Sequence, residues 1–406
     1  MRTFSVLAWL LLAASITACT PAEKGILGEP EMLSSPATGK VAGPRLSEGG
    51  GGGLVLSWME PGESGTDLKF AGIDGGEFGE ARTVVTEPRM FVNWADLPSV
   101  RHVSQDHWLA HWLRYSADKT YSYDVVVSQS FDGGESWTDP VAAHSDGTPT
   151  EHGFVSLHRD PEGVALIWLD GRDTAGEQGE SVLDTSMTLR SAVITPEGER
   201  VREQLVDDSV CDCCQTDVAI SASGPVAVYR DRTADEIRDI YVTRFVDGAW
   251  QPGANLHADN WKIPGCPVNG PSIVAQDDRV AVAWFTAADN KPSVRIAFSN
   301  DSAETFGKPV EIATGRLAGY VGLAIINDDT LAVSWVGRTE DGKNSLNIRD
   351  VSFDGQPGPV HQVATIEQLR VFPQLAYRDG NLILAWTDEV DDLRELQIAR
   401  VPVFTR

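Results

Sequence analysis

Four cysteines near the middle of the chain carry the most distinctive chemistry. Cys211, Cys213 and Cys214 lie in the stretch VCDCCQT, and Cys266 lies in PGCPVNGP. Thiolates bind soft metal ions such as copper and zinc, whereas an even number of cysteines in an oxidising compartment favours disulfides. The spacing matches no established zinc pattern. The residues alone therefore leave two possibilities open, disulfides or a copper or zinc site.

Arginines form a second candidate site. Guanidinium groups bind carboxylates and phosphates through paired hydrogen bonds. Arginines follow apolar strands in the stretches YRDRTADEIRD, LDGRD and VGRTED. One interpretation is that these arginines bind an anionic ligand. The alternative is that Arg–Asp pairs brace the loops, since each of these arginines has an acid within two or three residues. The candidates are Arg172, Arg230, Arg232, Arg338 and, later in the chain, Arg370.

A repeat indicates which elements position these side chains. Short apolar strands end in an aromatic residue at intervals of 51 to 61 residues, at Trp58, Trp112, Trp168, Tyr229, Trp284, Trp335 and Trp386. Seven copies with about four alternating strands each predict an all-β fold, a β-propeller of seven four-stranded blades, with six blades as the alternative. The last copy has only three strands, so we expect an N-terminal strand at about 31–35 to complete it and close the ring.

Loops that enter the first strands of a propeller meet around the mouth of its central channel. Alignment of these strands places Cys211 and Cys266 at equivalent positions in neighbouring blades. We therefore expect either a Cys211–Cys266 disulfide or a thiolate metal site, with His152 of the preceding blade as a possible nitrogen ligand. Asn269, close to Cys266, is a further candidate for ligand binding at the mouth.

The stretch SFDGGESW at 130–137 is predicted to be a turn rather than a site. Ser130 opens it, Asp132 can accept backbone N–H bonds, Gly134 suits positive φ, and Trp137 covers the loop. Together with the strand repeat, it resembles the Asp-box of sialidase-like (BNR-repeat) propellers, and SNDSAETF at 299–306 resembles a degraded copy. The resemblance implies a structural role on the face away from the substrate.

The same resemblance implies what an active enzyme would use. A sialidase-type exo-glycosidase would bind the sialate carboxylate with Arg230, Arg338 and Arg370. Tyr320 paired with Glu236 would attack, and Asp96 would donate the proton. This chain departs from the family pattern, because VAGPRL has Ala42 where the N-terminal arginine is expected. We therefore expect recognition of a glycan or other anionic ligand at the mouth, with exo-glycosidase activity as one alternative and thiolate copper or zinc binding as a second.

The N-terminus resembles a bacterial lipoprotein signal. Arg2 precedes an apolar run at 4–14, and ITAC ends at Cys19. We expect a signal peptide at 1–18, lipidation of Cys19, a tether at 19–35 and the propeller at 36–406. Thr20, rather than Asp, after the cysteine favours the outer membrane. The lipid would be the only membrane contact.

The net charge of the chain limits the classes of partner that it can bind. The chain has 33 Lys and Arg against 59 Asp and Glu, a net charge of -26, and no basic run. Nucleic-acid binding needs clustered cations and is therefore excluded, and the acidity favours a soluble monomer. No nucleophile elbow or glycine-rich phosphate loop is present in the sequence, so acyl and nucleotide chemistry have no support.

Overall fold

The computed structural model describes residues 25–174, 186–390 and 393–404. Its strands form seven antiparallel sheets in a ring, so the protein is a seven-blade β-propeller. The prediction of seven four-stranded blades is confirmed, and the alternative of six is wrong. The predicted signal peptide and Cys19 lie outside the described residues. None of the helical segments in the described ranges has the length and apolar character needed to cross a membrane.

The strands follow one another blade by blade. The first is β1 (Glu31–Met32). Blade 1 contains β2 (Ala42–Glu48), β3 (Leu54–Pro61), β4 (Thr66–Asp74), β5 (Glu77–Phe78) and β6 (Arg82–Glu87). Blade 2 contains β7 (Ser99–Ser104), β8 (His107–Tyr115), β9 (Tyr123–Ser130) and β10 (Val141–Ala142). Blade 3 contains β11 (His152–Asp160), β12 (Gly163–Asp170), β13 (Met187–Ile194) and β14 (Arg200–Val210).

The second half of the ring has the same order. Blade 4 contains β15 (Asp217–Ser221), β16 (Gly224–Arg230), β17 (Ile240–Val246), β18 (Ala249–Trp250) and β19 (Ala254–Asn255). Blade 5 contains β20 (Ser272–Gln276), β21 (Arg279–Thr286), β22 (Ser293–Ser299) and β23 (Val310–Thr314). Blade 6 contains β24 (Leu317–Asn327), β25 (Thr330–Arg338), β26 (Asn344–Ser352) and β27 (His361–Ile366). Blade 7 contains β28 (Gln374–Arg378), β29 (Asn381–Val390) and β30 (Leu393–Pro402). The described residues also contain short 3-10 segments at Gly50–Gly52, Arg172–Thr174 and Ala288–Asn290.

The N-terminal strand closes the ring as predicted. Strand β1 pairs antiparallel with β30, with Glu31 opposite Arg400 and Met32 opposite Ala399. The Arg400 guanidinium also donates to Glu31 at 2.6 Å. The last blade therefore takes its outer strand from the other end of the chain, which covers an edge that would otherwise be open.

The hydrophobic core lies between blades. Seven clusters of buried side chains each join residues of two neighbouring blades. The aromatic residues that define the repeat are buried in these clusters, and several satisfy their polar atom with an acid. Trp58 donates to Glu60 at 2.9 Å, Trp168 to Asp170 at 2.7 Å and Tyr229 to Asp207 at 2.6 Å. Part of the acidic composition thus serves the core, because a buried N–H or O–H needs a partner.

Bulges interrupt the first strands where they reach the mouth. The register shifts between Gly153 and Ser156 in β11 and between Gly319 and Gly322 in β24. Phe154 and Tyr320, inside these bulges, have φ of 55° and 53°. Non-glycine residues rarely adopt positive φ, and bulges re-aim side chains near functional sites. The propeller therefore holds two aromatic residues of its inner strands in an unusual conformation at one end.

Candidate functional site

Three aromatic rings meet at the mouth of the channel, and with Arg370 they are called here the aromatic mouth. Trp94 lies in the loop before β7, Tyr320 in the bulge of β24, and Phe372 in the loop before β28. Ring centroids are 4.7 Å apart for Tyr320 and Phe372, 5.4 Å for Trp94 and Phe372, and 6.1 Å for Trp94 and Tyr320. All three side chains are only partly buried. They form an apolar, solvent-accessible surface of the kind that lines ligand sites.

Arg370 supplies a cation to this surface. Its guanidinium carbon lies 5.7 Å from the centre of the Trp94 ring, and the residue is exposed. Burial raises the pKa of Tyr320, while the charge of Arg370 opposes that shift. The mouth therefore presents rings, a neutral phenol and a positive charge that is available to a ligand.

A polar pocket continues from the aromatic mouth along the axis. It has a volume of about 200 Å³ and is lined by first-strand or adjoining residues of blades 1, 2, 4, 5, 6 and 7, among them Tyr320 and Phe372. Arg45 and Asp217 place one charge of each sign in its wall. The Gln215 amide reaches across, donating to the Ala95 carbonyl at 2.8 Å and accepting from the Gly270 N–H at 3.1 Å.

The four cysteines lie together at the same end of the molecule, in the loops before β15 and β20. One ligand atom from each of Cys211, Cys213 and Cys214 lies within 4.8 Å of the others, and these three residues are called the cysteine cluster. The Sγ atoms of Cys211 and Cys214 are 3.5 Å apart. Cys266 is exposed, and its thiol is hydrogen-bonded to that of Cys213.

All four thiols are free in the structure. The predicted disulfide between Cys211 and Cys266 is not formed, because Cys211 faces Cys214 and the Arg238 guanidinium while Cys266 faces Cys213. Hydrogen bonds from Cys213 and Cys214, with the charge of Arg238, hold the pKa of Cys211 well below its ordinary value. The thiolate therefore forms most readily at Cys211, since a hydrogen bond to the charged form stabilises it.

Beside the cysteines, Arg230, Arg232, Arg238 and Glu236 form a group called the arginine brace. One Glu236 oxygen accepts from Arg232 at 2.8 Å and the other from Arg238 at 2.7 Å. Arg238 also donates to Cys211 Sγ at 3.2 Å, and Arg232 pairs with Asp212 at 3.3 Å. Burial opposes ionisation of Glu236, but the two guanidiniums lower its pKa. Arg232 and Glu236, two of the predicted site residues, thus bind each other.

Arg230 uses its donors within the protein. Its guanidinium donates to the carbonyl oxygens of Asn269 at 2.8 Å, Arg238 at 2.6 Å and Phe285 at 2.9 Å. It is 2% exposed and stacks on Trp261 at 4.9 Å. Within residues 25–174, 186–390 and 393–404 it forms no ion pair. Arg230 is therefore a buried strut between blades 4 and 5.

His152 and Arg172 belong to a separate cluster in blade 3. The His152 and His144 rings stack at 3.7 Å, and His152 Nε2 lies 3.3 Å from Asp146 and 3.7 Å from Asp170. Arg172 pairs with Asp170 at 2.7 Å and with Glu203 at 2.8 Å. Burial lowers the pKa of His152, but Asp146 and Asp170 outweigh it and raise the value. The structure groups His152 with carboxylates, not with the cysteines as predicted.

Asp96 and Asn269 have the same role in different blades. The Asp96 carboxylate accepts from the N–H of Phe154 at 2.8 Å, and the Asn269 side-chain oxygen accepts from the N–H of Tyr320 at 2.7 Å. Each thus holds the positive-φ residue of the next blade in place. Burial raises the pKa of Asp96 to about 7. Asp96 is only 1% exposed, so the structure gives it a bracing position.

The residues that sialidase-type hydrolysis would need are not assembled here. Tyr320 contacts Trp94 and Phe372, and both oxygens of Glu236 are occupied by arginines. Arg338 is exposed and lines a different cleft, with Arg316 and Arg349, between blades 5 and 6. Of the three arginines expected to converge, only Arg370 stands at the aromatic mouth.

The stretch SFDGGESW forms a turn between β9 and β10. Ser130 Oγ accepts from the Gly134 N–H at 2.8 Å, and Asp132 accepts from the Glu135 and Ser136 N–H groups at 3.0 and 2.9 Å. Trp137 packs edge-on against Phe70. Asp301 makes the equivalent bonds to Thr305 in the degraded copy. Both turns join third to fourth strands, at the end opposite the mouth.

Sequence reasoning missed Trp94 and Phe372. Both lie in loops, outside the series of aromatic residues that end the second strands. A signal was nevertheless present: Phe154, Tyr320 and Phe372 each stand three residues before the aligned inward residue of a first strand, Leu157, Leu323 and Leu375. An aromatic residue repeated at that position, beside the channel, could have predicted the aromatic mouth.

Comparison with known proteins gives relatives in fold only. No family model matches the chain, and no curated protein sequence matches it. Among solved structures, polysaccharide lyase Uly1 aligns with a TM-score of 0.52 and 9% identity over 90% of each chain. A PL25 ulvan lyase aligns at 0.49 and 12% over 76% of this chain and 78% of that one, and the sialidase NanB from Streptococcus pneumoniae at 0.46 and 9% over 92% and 94%. The likeness to Uly1 shows that this chain shares its propeller fold.

Proposed function

We propose that the propeller recognises an acidic glycan at the aromatic mouth. The observation that carries the proposal is the juxtaposition of three partly exposed rings and one exposed arginine above the axial pocket. Aromatic surface with a few placed polar groups is the usual composition of a small-molecule site, and a guanidinium matches a carboxylate. The fold neighbour Uly1 is a polysaccharide lyase, which supports a carbohydrate ligand.

Binding without sialidase-type turnover is the version that the geometry favours. Tyr320 has rings as neighbours, Glu236 is held by two guanidiniums, and Asp96 is buried against a backbone N–H. A nucleophile pair requires hydrogen-bond contact between its members, and an acid must reach the leaving group. The three residues therefore support a rigid scaffold better than a hydrolytic site.

Calorimetric titration with three probes tests the proposal: sialyllactose, a glucuronate-containing oligosaccharide and a neutral oligosaccharide of the same length. We expect an acidic probe to bind and the neutral one to bind at least about 10-fold more weakly, since one charge-assisted contact contributes about 1.5–3 kcal/mol. Trp94→Ala and Arg370→Gln should each weaken binding about 10-fold. Arg338→Gln, an exposed arginine in another cleft, is the matched control and should bind like the unmodified protein. Equal affinity of Arg370→Gln and Arg338→Gln for the acidic probe would refute the proposal.

We also propose that the protein is a bacterial envelope lipoprotein of the outer membrane, lipidated at Cys19. The support is the sequence alone: Arg2, the apolar run at 4–14 and ITAC before Thr20. Metabolic labelling with a fatty acid should label the full chain and fractionate it with outer membranes, whereas Cys19→Ala should abolish both. Labelling that persists in Cys19→Ala would contradict lipidation at this residue.

A further inference from the structure

The cysteine cluster has a composition that neither glycan recognition nor bracing of the fold requires. Three thiols from four consecutive residues converge, with ligand atoms within 4.8 Å of one another, at the tip of the loop before β15. Cys211 and Cys214 are each 1% exposed, whereas Cys213 is partly buried. A small hydrophobic residue would fill the same space, so packing alone does not explain three sulfur atoms together.

The hydrogen bonds around the cluster suit sulfur atoms that carry negative charge. Arg238 Nη1 donates to Cys211 Sγ at 3.2 Å, and the Asn269 N–H donates to Cys214 Sγ at 3.4 Å. Neutral thiols are weak acceptors, whereas thiolates are strong ones and are the form that binds metals. Both donor residues are buried, in the loops before the third strand of blade 4 and the first strand of blade 5.

The charge around the cluster points the same way. Arg230 is buried, and its three guanidinium nitrogens donate to backbone carbonyls, so no carboxylate neutralises it in the described residues. Arg230 lies beside the cluster, since its backbone carbonyl accepts from the Cys211 N–H at 2.9 Å. A buried cation without a partner is costly, and a negatively charged complex beside it offsets that cost. Three thiolates with a monovalent or divalent ion form such a complex.

We propose that Cys211, Cys213 and Cys214 bind one thiophilic metal ion, Cu(I) or Zn(II), through their Sγ atoms, with Cys266 at the entrance. Thiolate ligands select these ions over Mg²⁺ and Ca²⁺. On binding, each S–H is replaced by an S–metal bond and its proton passes to the buffer. Cys266 is exposed and hydrogen-bonded to Cys213, so it lies where an ion from solvent meets the cluster first. This site does not depend on glycan binding.

Metal uptake by the full chain tests the proposal. The protein, with Cys19→Ser in every sample to remove the fifth thiol, is reduced, freed of reductant without oxygen, and titrated with Cu(I) or Zn(II) against a chromophoric chelator. We expect one equivalent of at least one of the two ions, with release of protons. Cys213→Ser should weaken binding by more than about 100-fold, because losing even an outer partner of a ligand costs 10–100-fold. Comparison of the two titrations shows whether the site binds copper, zinc or both.

Two further variants make the result specific. Cys266→Ser should keep the stoichiometry but slow uptake, whereas His152→Ala, in the separate carboxylate cluster, should change neither. Thermal unfolding without metal shows which variants are folded, and added metal should raise the melting temperature only of those that bind it. Uptake below about a tenth of an equivalent of both ions by the reduced, folded protein would overturn the proposal. Equal uptake by Cys213→Ser would also overturn it.

Discussion

The arginine brace and the aromatic mouth lie at the same end of the propeller, yet they use arginine in opposite ways. In the brace, Arg230 is 2% exposed and each of its guanidinium nitrogens donates to a carbonyl, while Arg238 donates to both Glu236 and Cys211. In the mouth, Arg370 is exposed, lies over the face of Trp94 and forms no hydrogen bond or ion pair through its guanidinium among the described residues. Arginine in a mouth loop is therefore not evidence of ligand binding until its donors have been accounted for.

Asn269 connects the two regions. Its backbone carbonyl accepts from Arg230, its N–H donates to Cys214, and its side-chain oxygen holds the N–H of Tyr320. One residue thus fixes the strut, a cysteine of the cluster and the bulge that aims a ring into the mouth. The brace is thus part of the scaffold that positions the aromatic mouth.

The largest expected effect comes from removing the strut. Arg230→Met keeps much of the side chain's apolar volume but leaves the carbonyls of Asn269, Arg238 and Phe285 without their donor. We expect the free energy of unfolding to fall by about 3–5 kcal/mol, measured by urea denaturation. The matched change Arg370→Met should stay within about 0.5 kcal/mol, since the residue is exposed. Similar losses for both variants would remove the distinction between the regions.

A substitution at Asp96 tests whether its buried carboxyl group is neutral or charged in the folded protein. The pKa of this buried carboxyl is raised from 3.8 to about 7, so the folded state holds a proton that the unfolded state releases between those values. Stability should therefore fall as pH rises from about 4 to about 7. Asp96→Asn preserves an acceptor for Phe154, as Asn269 does for Tyr320, and should be more stable than the unmodified protein at pH 8 by at most about 4 kcal/mol. Urea unfolding at pH 4 and pH 8 measures the difference, and equal differences at both pH values would contradict this assignment.

Substitution of Glu236 should change the free energy of unfolding by a smaller amount, and with the opposite dependence on pH. Its pKa is lowered by Arg232 and Arg238, so its contribution is present above the ordinary value of 4.5 and is lost as pH falls through the folded-state value. Glu236→Gln should destabilise by about 1–3 kcal/mol at pH 7, because it leaves two buried guanidiniums with a neutral acceptor, and by less at low pH. The change in urea midpoint between pH 7 and pH 4 measures this. Asp235→Asn, at an exposed neighbouring carboxylate, is the control and should show no such difference.

The repeat made the fold predictable, whereas side-chain partners did not follow from it. Trp58, Trp112 and their equivalents mark one strand per blade, and the closing strand at Glu31 followed from counting three strands in the last copy. The register also placed Cys211 and Cys266 in corresponding loops. Which sulfur faces which depends on loop conformation, such as φ of 49° at Val268, and strand periodicity carries no information about that.

The arginines show the same limit. Arg172 and Arg232 pair with acids two and four residues away, Asp170 and Glu236, and such local partners can be anticipated from the sequence. For Arg230 the acceptors are backbone carbonyls, two of them 39 and 55 residues away, and no residue type signals a carbonyl. Trp94 lies in a loop of blade 2 and contacts the rings of Tyr320 in blade 6 and Phe372 in blade 7. Alignment of the blade sequences gives no information about contacts between such loops.

The smallest change tests the connection between the regions. Asn269→Ala removes the acceptor of the Tyr320 N–H but keeps the backbone atoms that contact Arg230 and Cys214. We expect a loss of about 1–2 kcal/mol in the free energy of unfolding, since one buried donor is left unpaired. The Tyr320 bulge, with φ of 53°, should loosen, so affinity for an acidic oligosaccharide should fall more than uptake of metal by the cysteine cluster. Equal losses in both assays would mean that Asn269 supports the whole mouth rather than the bulge, and unchanged stability would mean that the bulge persists without it.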